Sequence, residues 1–285
     1  MARAIVSSVE LNFEVVGKDG PWVTLLPGGR RSLQEVAGLA NLIADVGFRV
    51  LLHDRRNTGL SSVSIDGEGS EFEIWAEDLN GLLGHLGIGS VSAIGSSSGC
   101  RVSTILTLRR PDLVNALVMM RVTGGAFAVK RLSHRYYTKL IVAAQKGGMA
   151  AVCEDADFSA VIKHAPSRRK ELLAWDVDRF VSVMEKWRAN LEADLNNPIL
   201  GVSVEQLKSI SCPVCIIPGN DKTHSLETGR LVHSIVAQSE IHEPRQDQLD
   251  LDLIPMSEWV ADGPLASIIV DFLKRSAGRS PSGRA

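Results

Sequence analysis

Gly95-Ser96-Ser97-Ser98-Gly99 lies between an apolar run at residues 90–94 and a helix-like stretch at residues 100–110. This G-x-S-x-G pattern predicts a strand, a tight turn and a helix, with the central serine held clear of the sheet. Glycine at both ends is expected to allow strained backbone angles in the turn. In this context Ser97 is a candidate nucleophile, although a row of small residues is also typical of a simple loop.

Strand-like and helix-like segments alternate on both sides of this turn. Ser32 is placed to cap the first helix-like segment. Alternation of this kind predicts an α/β protein whose eight-stranded, mostly parallel sheet carries helices on both faces. Strand-like runs cover residues 4–8, 11–16, 22–26, 49–53, 90–94, 114–120 and 214–218 and a short run near Ile241, and helix-like stretches cover residues 33–46, 71–86, 100–110, 224–237 and 264–274.

The alternation stops between about Thr123 and Val204, where helical patterns occur without strong strands. The clearest of these helices are predicted at residues 132–144, 149–156 and 177–195. This arrangement predicts a helical cap inserted into the sheet domain. We place the core at residues 1–122 and 207–275, the cap at 123–206 and a disordered, Ser- and Gly-containing tail at 276–285.

The composition is ordinary for a soluble globular protein, and the partner that we expect is a small-molecule substrate. The chain has 285 residues, of which 45% are hydrophobic and 22% charged, and its net charge is -2. This balance argues against nucleic acid or an anionic membrane as the main partner. No apolar run approaches the roughly 20 residues of a membrane helix, and no secretion signal is evident at the start, so we expect a cytoplasmic protein. The sequence does not indicate an oligomeric state.

Sequence motifs for metals and cofactors are absent. Cys212 and Cys215 have C-x-x-C spacing, but they fall in a strand-like run, where residues three apart face opposite sides of a sheet. No second ligand pair completes a zinc site. The sequence contains no Walker loop, no H-E-x-x-H and no G-x-G-x-x-G after the first strand. We therefore expect neither a metal nor a cofactor.

Three further stretches follow the order of motifs in one known family. Residues 25–30 (LLPGGR), 54–61 (DRRNTGLS) and 217–221 (IPGND) accompany the serine turn. They resemble the His-Gly-x turn, the Asp-x-x-Gly-x-Gly-x-Ser turn and the acid-bearing Gly-x-x-Asp turn of the α/β-hydrolase fold family. The resemblance covers about residues 4–274 and includes a cap after the sixth strand. Asn57 replaces a family glycine, a mild change because asparagine tolerates a left-handed backbone.

The resemblance implies a set of site residues. Ser97 would be the nucleophile, and Asp221 would be the acid of the catalytic triad. The backbone N–H groups of Gly29 and Ser98 would form an oxyanion hole, which binds the negative charge that develops in acyl transfer. Gly28 would let the backbone come close to the substrate, although a Gly-Gly pair also makes simple turns.

Positive charge is expected at the same edge of the sheet. Arg121 directly follows the sixth predicted strand, so it would lie on the side of Ser97 and Asp221. We expect it to bind a substrate carboxylate or to neutralise Asp221, and a structural salt bridge is an equally good interpretation. Lys130, Arg131 and Arg135 add positive charge near the start of the cap.

The general base is not at its usual place. The family has a histidine in the loop after the eighth strand, and here that loop, residues 244–252, contains none. Its three aspartates, Asp247, Asp250 and Asp252, are typical of a solvated surface. His224, three residues after Asp221, is the best substitute, although Thr223 or His224 would also serve simply as the start of the next helix. The other candidates are His53, His242 and the cap residues His134 and His164.

Three functions remain open. We favour a serine hydrolase for a small organic ester, a lactone or a C–C bond next to a ketone. The first alternative is a cofactor-free lyase or oxygenase, in which the oxyanion hole stabilises an enolate or alkoxide and Ser97 only orients the substrate. The second alternative is a non-catalytic ligand-binding homologue, for which a missing base would be the natural mark. The substrate itself is not specified by the sequence.

Overall fold

The structure, a computed structural model, describes residues 2–193 and 195–276. Within them one eight-stranded sheet has the order β1-β2-β4-β3-β5-β6-β7-β8. Only the β1–β2 and β2–β4 pairs are antiparallel, which confirms the predicted mostly parallel sheet. The strands are β1 (Ala2–Val6), β2 (Val9–Val16), β3 (Trp22–Leu26), β4 (Arg49–His53), β5 (Val91–Ser96), β6 (Val114–Met120), β7 (Val214–Ile217) and β8 (Ser239–Ile241).

Helices cover both faces of the sheet. The core helices are α1 (Ala37–Ala44), α2 (Glu71–His85), α3 (Ser98–Arg109), α10 (Leu226–Ile235), α11 (Met256–Trp259) and α12 (Asp262–Ser276). Apolar residues of α1 and α12 share one buried cluster with one face of the strands, and residues of α2 and α3 belong to a second cluster on the other face. Burial on both sides explains why β5 is buried along its whole length.

The segment between β6 and β7 is helical. It contains α4 (Gly125–Ser133), a π-helical turn (His134–Thr138), α5 (Lys139–Cys153), α6 (Ala156–His164), α7 (Arg168–Leu173), α8 (Val177–Ala193) and α9 (Val204–Lys208). Residues 132–144, predicted as one helix, therefore run from the end of α4 into α5. Residues 149–156 cross the turn between α5 and α6. Buried residues of these helices join the cluster that includes α2 and α3, so this segment packs directly on the core.

The first helix was predicted over residues 33–46, and the predicted start of this α-helix was wrong. It starts as a 3-10 turn, Leu33–Val36, and becomes α1 only at Ala37. Ser32 makes no side-chain capping bond. The N–H of Leu33 instead donates to the Asp54 carboxylate at 2.7 Å, because the turn after β4 brings that buried group to the start of the helix.

The end of the chain differs by one residue from the predicted boundary. Ser276 still belongs to α12, and its hydroxyl donates to the Phe272 carbonyl at 2.9 Å. The rest of the predicted disordered tail, residues 277–285, lies outside the described residues. In the described part of the chain no helix combines the length and apolar character needed to cross a membrane.

Candidate active site

Ser97 occupies the sharp turn between β5 and α3. Its φ of 53° and ψ of -113° are strained for a residue with a side chain. The strain predicted for this turn therefore lies at Ser97 itself, and neither flanking glycine has a positive φ. They are required for a different reason: a Cβ on Gly95 would lie 2.1 Å from the Gly99 carbonyl oxygen, and one on Gly99 would lie 2.5 Å from that of Leu26.

The structure brings Ser97, His224 and Asp221 into one hydrogen-bonded chain. His224 Nε2 lies 2.8 Å from Ser97 Oγ, and His224 Nδ1 lies 3.0 and 3.1 Å from the two carboxylate oxygens of Asp221. Both His224 and Asp221 are buried, and Ser97 is half-buried. With the proton on Nδ1 donated to Asp221, Nε2 is free to accept the serine proton. This is the arrangement that activates a serine hydroxyl.

A tight turn after β7 places His224 beside the acid. The backbone N–H groups of Thr223 and His224 both donate to Asp221 Oδ1 at 2.9 Å. A Cβ on Gly219 would lie 2.5 Å from His224 Cβ, so the turn needs glycine there. The following helix begins only at Leu226 and is capped by Ser225. The alternative that Thr223 or His224 starts this helix was therefore wrong.

The loop after β8, where the family's histidine was expected, supports the acid instead. The N–H of Ile254 donates to Asp221 Oδ2 at 3.0 Å, and the Thr223 hydroxyl donates to the Asp252 carbonyl at 2.5 Å. Asp247, Asp250 and Asp252 are exposed. Side chains of the last two pair with Lys222. The loop therefore contributes its backbone to the turn, and its aspartates lie on the surface as predicted.

The site keeps His224 neutral and Asp221 ionised. Burial, followed by the charge of Arg121, lowers the pKa of His224 to about 4, although Asp221 opposes the shift. Burial would raise the pKa of Asp221, but hydrogen bonds from His224 and Ile254 and the charges of His224 and Arg121 bring that pKa below its usual value. A neutral imidazole beside a charged carboxylate is the form that a general base needs at neutral pH.

Arg121 forms a buried ion pair with the acid. One of its nitrogens, Nη2, lies 2.9 Å from Asp221 Oδ2 and also donates to the carbonyl of Ile254. The sequence left open whether Arg121 binds a substrate carboxylate, neutralises Asp221 or forms a structural salt bridge, and the geometry shows the pairing with Asp221. Arg121 also lines the cavity at Ser97, so substrate binding by this residue stays a prediction.

The turn after β3 lies beside the nucleophile. A Cβ on Gly28 would lie 3.4 Å from Ser97 Cβ, and Gly29 has a φ of +45°. The Gly28 N–H donates to Glu35 at 3.1 Å, and Arg55 donates to the carbonyls of Gly28 and Gly29 at 3.2 and 2.7 Å. The Gly29 N–H has no acceptor among residues 2–193 and 195–276.

Ser98 supplies the second N–H group predicted for the oxyanion hole. It is the first residue of α3, where backbone N–H groups have no acceptor within the helix. Together with the Gly29 N–H, it is therefore available to an oxygen of a bound substrate. The role of this pair as an oxyanion hole stays a prediction.

A cavity of about 90 Å³ opens at Ser97. Sequence reasoning did not place Glu35 at this site, because its position depends on how the start of α1 packs. It also missed Thr123, whose hydroxyl lies 3.4 Å from Ser97 Oγ and which follows β6 as Arg121 does. The lining includes Gly28, Gly29, Arg31, Glu35, Ser97, Arg121, Arg131, Arg135, Tyr136, His224 and Met256.

None of the other candidate histidines lines this cavity. His53 is fully buried, and neither of its ring nitrogens has a hydrogen-bond partner within the described residues. His242 bonds Glu240 at 2.8 Å, and His134 and His164 are exposed. A larger cavity of about 570 Å³ beside Ser7 and Asp78 has no histidine in its lining.

One group of potential metal ligands occurs in the described residues, away from this cavity. The ligand atoms of Cys215, Glu240 and His242 lie within 4.8 Å of one another at the β7–β8 edge. The Glu240 carboxylate there already accepts hydrogen bonds from His242 at 2.8 Å and Arg275 at 2.5 Å. Among the described residues that line the cavity at Ser97, the one carboxylate is that of Glu35.

Comparison with known proteins agrees with this architecture. The family model described as the alpha/beta hydrolase fold matches residues 21–133. The chain is similar, with 25% identity over 94% of its length and 92% of the relative, to the 2-hydroxy-6-oxononadienedioate/2-hydroxy-6-oxononatrienedioate hydrolase of Escherichia coli K12. The chain belongs to the α/β-hydrolase fold family.

Two further similarities come from different kinds of hydrolase. The sn-1-specific diacylglycerol lipase of Mus musculus is 37% identical over 67% of this chain, and the match spans only 62% of that lipase. The enol-lactonase of Burkholderia xenovorans LB400 shares the fold with a TM-score of 0.64 and 21% identity, covering 96% of this chain and all of the lactonase. The relatives of this α/β-hydrolase chain thus include enzymes with quite different substrates.

Proposed function

We propose that this α/β-hydrolase acts through Ser97 on a small organic ester, a lactone or a C–C bond next to a ketone. The observation that carries the proposal is the 2.8 Å contact between Ser97 Oγ and His224 Nε2, with His224 Nδ1 held 3.0 Å from Asp221. His224 takes the part of the general base, and Asp221 orients it. The base thus comes from the turn after β7 and not from the loop after β8.

For an ester or lactone, the first half of the reaction forms an acyl-enzyme. Ser97 Oγ attacks the carbonyl carbon while its proton passes to His224 Nε2. The oxygen that gains the electron pair accepts hydrogen bonds from the N–H groups of Gly29 and Ser98. When this intermediate collapses, the bond to the leaving group breaks, and the leaving group takes the proton from His224 Nε2.

Water completes the second half of the reaction. It attacks the acyl carbon, gives a proton to His224 Nε2, and the tetrahedral intermediate releases the acid and returns the proton to Ser97. Asp221 remains ionised throughout, since its surroundings favour the charged form. For a C–C substrate, the same steps apply to the ketone carbonyl, and the leaving group is a stabilised carbanion that is protonated as it departs.

The size of the cavity favours small substrates. A volume of about 90 Å³ is well below the several hundred Å³ of sites that enclose a drug-sized ligand. By their names, one relative is a hydrolase of 2-hydroxy-6-oxononadienedioate and 2-hydroxy-6-oxononatrienedioate and one protein of the same fold is an enol-lactonase, and both kinds of substrate are small. We therefore place small acyl groups ahead of long-chain lipids among the substrates of this chain.

Hydrolysis of 4-nitrophenyl acetate tests the proposal. We expect turnover by the wild type and a loss of kcat of about 10³-fold or more in Ser97→Ala and in His224→Ala, because each removes a member of the proton-transfer chain. Ser103→Ala, a buried serine in α3, and His85→Gln, an exposed histidine, are matched controls that should retain activity. Equal activity in Ser97→Ala and wild type would contradict the proposal.

A further inference from the structure

Most of the charged side chains that line the cavity at Ser97 are arginines. Four arginines line it, together with the single carboxylate of Glu35. Two of these arginines are on the core, Arg31 and Arg121, and two are on the cap, Arg131 and Arg135. Whether such a set attracts an anion depends on how many of the guanidinium groups have carboxylate partners in the protein, since only uncompensated charge favours anions over cations.

Three of the four arginines have carboxylate partners. Arg121 pairs with Asp221 at 2.9 Å, Arg135 with Asp157 at 3.1 Å, and Arg31 lies 3.7 Å from Glu35. These pairs account for their charges without any ligand. They also mean that the three guanidinium groups are held by the protein itself.

Arg131 is different. It is half-buried, and it has neither a carboxylate nor a hydrogen-bond partner in the described part of the chain. It lies in the last turn of α4 and lines the cavity with its neighbour Arg135, one helical turn further on. It lines the same cavity as Ser97 and His224, and its charge makes a small contribution to lowering the pKa of His224.

A guanidinium without a counter-charge at the edge of a substrate cavity is suited to a carboxylate. Its planar nitrogen pair matches the two carboxylate oxygens, and such charge-assisted hydrogen bonds are stronger than neutral ones. Partial burial strengthens the interaction further by reducing the screening by water. A neutral acyl group would leave this charge uncompensated.

We propose that Arg131 is a specificity residue that binds a carboxylate on the substrate, so that the enzyme acts on carboxylate-bearing esters, lactones or ketones. This inference rests on the proposed function and adds its substrate class. The cap thus supplies the recognition of the anion, while the core supplies Ser97, His224 and Asp221. Arg135 lies beside the same subsite with its charge held by Asp157.

Binding of succinate and of its uncharged analogue succinamide, measured by isothermal titration calorimetry, tests the inference without any turnover. We expect the wild type to bind succinate at least about tenfold more tightly than succinamide. Arg131→Gln should lose this preference, and Arg131→Lys, which keeps the charge, should retain part of it. Arg179→Gln changes an exposed cap arginine that lies outside the cavity lining and should bind as the wild type does.

Ser97→Ala separates this test from that of the hydrolase mechanism. If Ser97→Ala binds succinate normally while the wild type fails to hydrolyse 4-nitrophenyl acetate, the anion subsite stands and the proposed reaction fails. If the wild type hydrolyses the acetate but binds succinate and succinamide alike, or if Arg131→Gln keeps the full preference for succinate, the subsite is overturned and the hydrolase remains.

The pH profile of acetate hydrolysis gives a second readout. Removing the positive charge of Arg131 makes protonation of His224 easier, so the pKa of His224 rises. We expect the acid limb of kcat/KM in Arg131→Gln to move to higher pH than in the wild type. An unchanged or lowered limb would contradict a guanidinium placed at the catalytic centre.

Discussion

At the scale of single residues, the position of His224 decides how the site works. Asp221 and His224 are three residues apart in one turn, and the acid accepts hydrogen bonds from the backbone and from the ring of the same histidine. The pair is therefore oriented locally. Ser97 is the only member of the chain of three that comes from a distant part of the sequence.

Asp221→Asn tests the contribution of the acid. An asparagine keeps the shape but not the charge, and its amide nitrogen would face His224 Nδ1 as a donor. We expect kcat for 4-nitrophenyl acetate to fall by about 10³-fold or more, with little change in KM. Asp247→Asn, an exposed aspartate of the loop after β8, is the matched control. A kcat within a few-fold of the wild type in Asp221→Asn would remove Asp221 from the mechanism.

The pH dependence of activity follows from the low pKa of His224. Catalysis needs the neutral ring, and a pKa lowered to about 4 keeps the ring neutral well below pH 6.5. We expect kcat/KM for 4-nitrophenyl acetate to stay level down to about pH 5 and to decline only near pH 4. Circular dichroism at each pH verifies that the protein is folded. A decline centred near pH 6.5 or above would show that the base is not this buried imidazole.

At the scale of elements, the serine turn depends on close backbone contacts. The strand β5, the helix α3 and the end of β3 meet where Gly95 and Gly99 have no side chains. The strain at Ser97 persists because these neighbours hold the turn on both sides. The turn after β7 is built in a similar way, with Gly219 against His224.

Two glycine-to-alanine changes with opposite effects test this packing. Gly95→Ala places a Cβ 2.1 Å from a backbone oxygen, so we expect it to lower the free energy of unfolding by about 1–3 kcal/mol or more. Gly84→Ala, in α2, meets nothing within 4 Å and should raise it by about 0.5–1 kcal/mol through helix propensity. Urea unfolding measures both. An unchanged free energy of unfolding in Gly95→Ala would mean that the turn between β5 and α3 is not closely packed.

The elements show which features the sequence could predict. The apolar runs predicted as strands at residues 22–26, 49–53 and 114–120 match β3, β4 and β6 to the residue, because these buried strands have clear ends. The start of α1 did not, because a tertiary bond from Asp54 replaced the local cap expected from Ser32. The ends of the cap helices were also predicted inaccurately. A π-helical turn and the break at Gly147 interrupt the regular helical period on which the prediction relied.

The site was predictable where motifs lie at strand ends. Ser97, Asp221 and Arg121 all follow strands of a parallel sheet, so their meeting at one edge follows from the fold. The sequence could suggest His224 as the partner of Ser97 but could not establish their contact, because that contact depends on the exact shape of the turn after β7. The approach of Arg131 and Tyr136 depends on the docking of the cap, which no local pattern encodes.

At the scale of the whole molecule, buried histidines make the fold sensitive to acid. Burial, with the nearby Arg55, lowers the pKa of His53 to about 3. Above pH 6.5 the ring is neutral in both states and contributes nothing to the pH dependence. Below that value His53 binds a proton in the unfolded chain but stays neutral in the folded protein. The free energy of unfolding therefore decreases as the pH falls from about 6.5 towards 3.

His53→Leu should reduce this acid sensitivity. Between pH 6.5 and 4 the free energy of unfolding of the variant should fall less steeply with decreasing pH than that of the wild type. The two slopes should differ by up to about 1.4 kcal/mol per pH unit, because the substitution removes one group that binds a proton only in the unfolded chain. Urea unfolding at several pH values measures the slope, and His134→Gln, an exposed histidine, is the control. Identical slopes for His53→Leu and wild type would show that His53 is not buried in its neutral form.

The central claim is that His224, a base from the turn after β7, activates Ser97 in the turn between β5 and α3. Intact-mass spectrometry after exposure to a fluorophosphonate probe tests it most directly, since only an activated hydroxyl reacts rapidly. We predict a single adduct on the wild type that disappears in Ser97→Ala and becomes far slower in His224→Ala, with His85→Gln unaffected. An adduct that forms at the same rate without His224 would contradict the claim, as would a wild type that forms none.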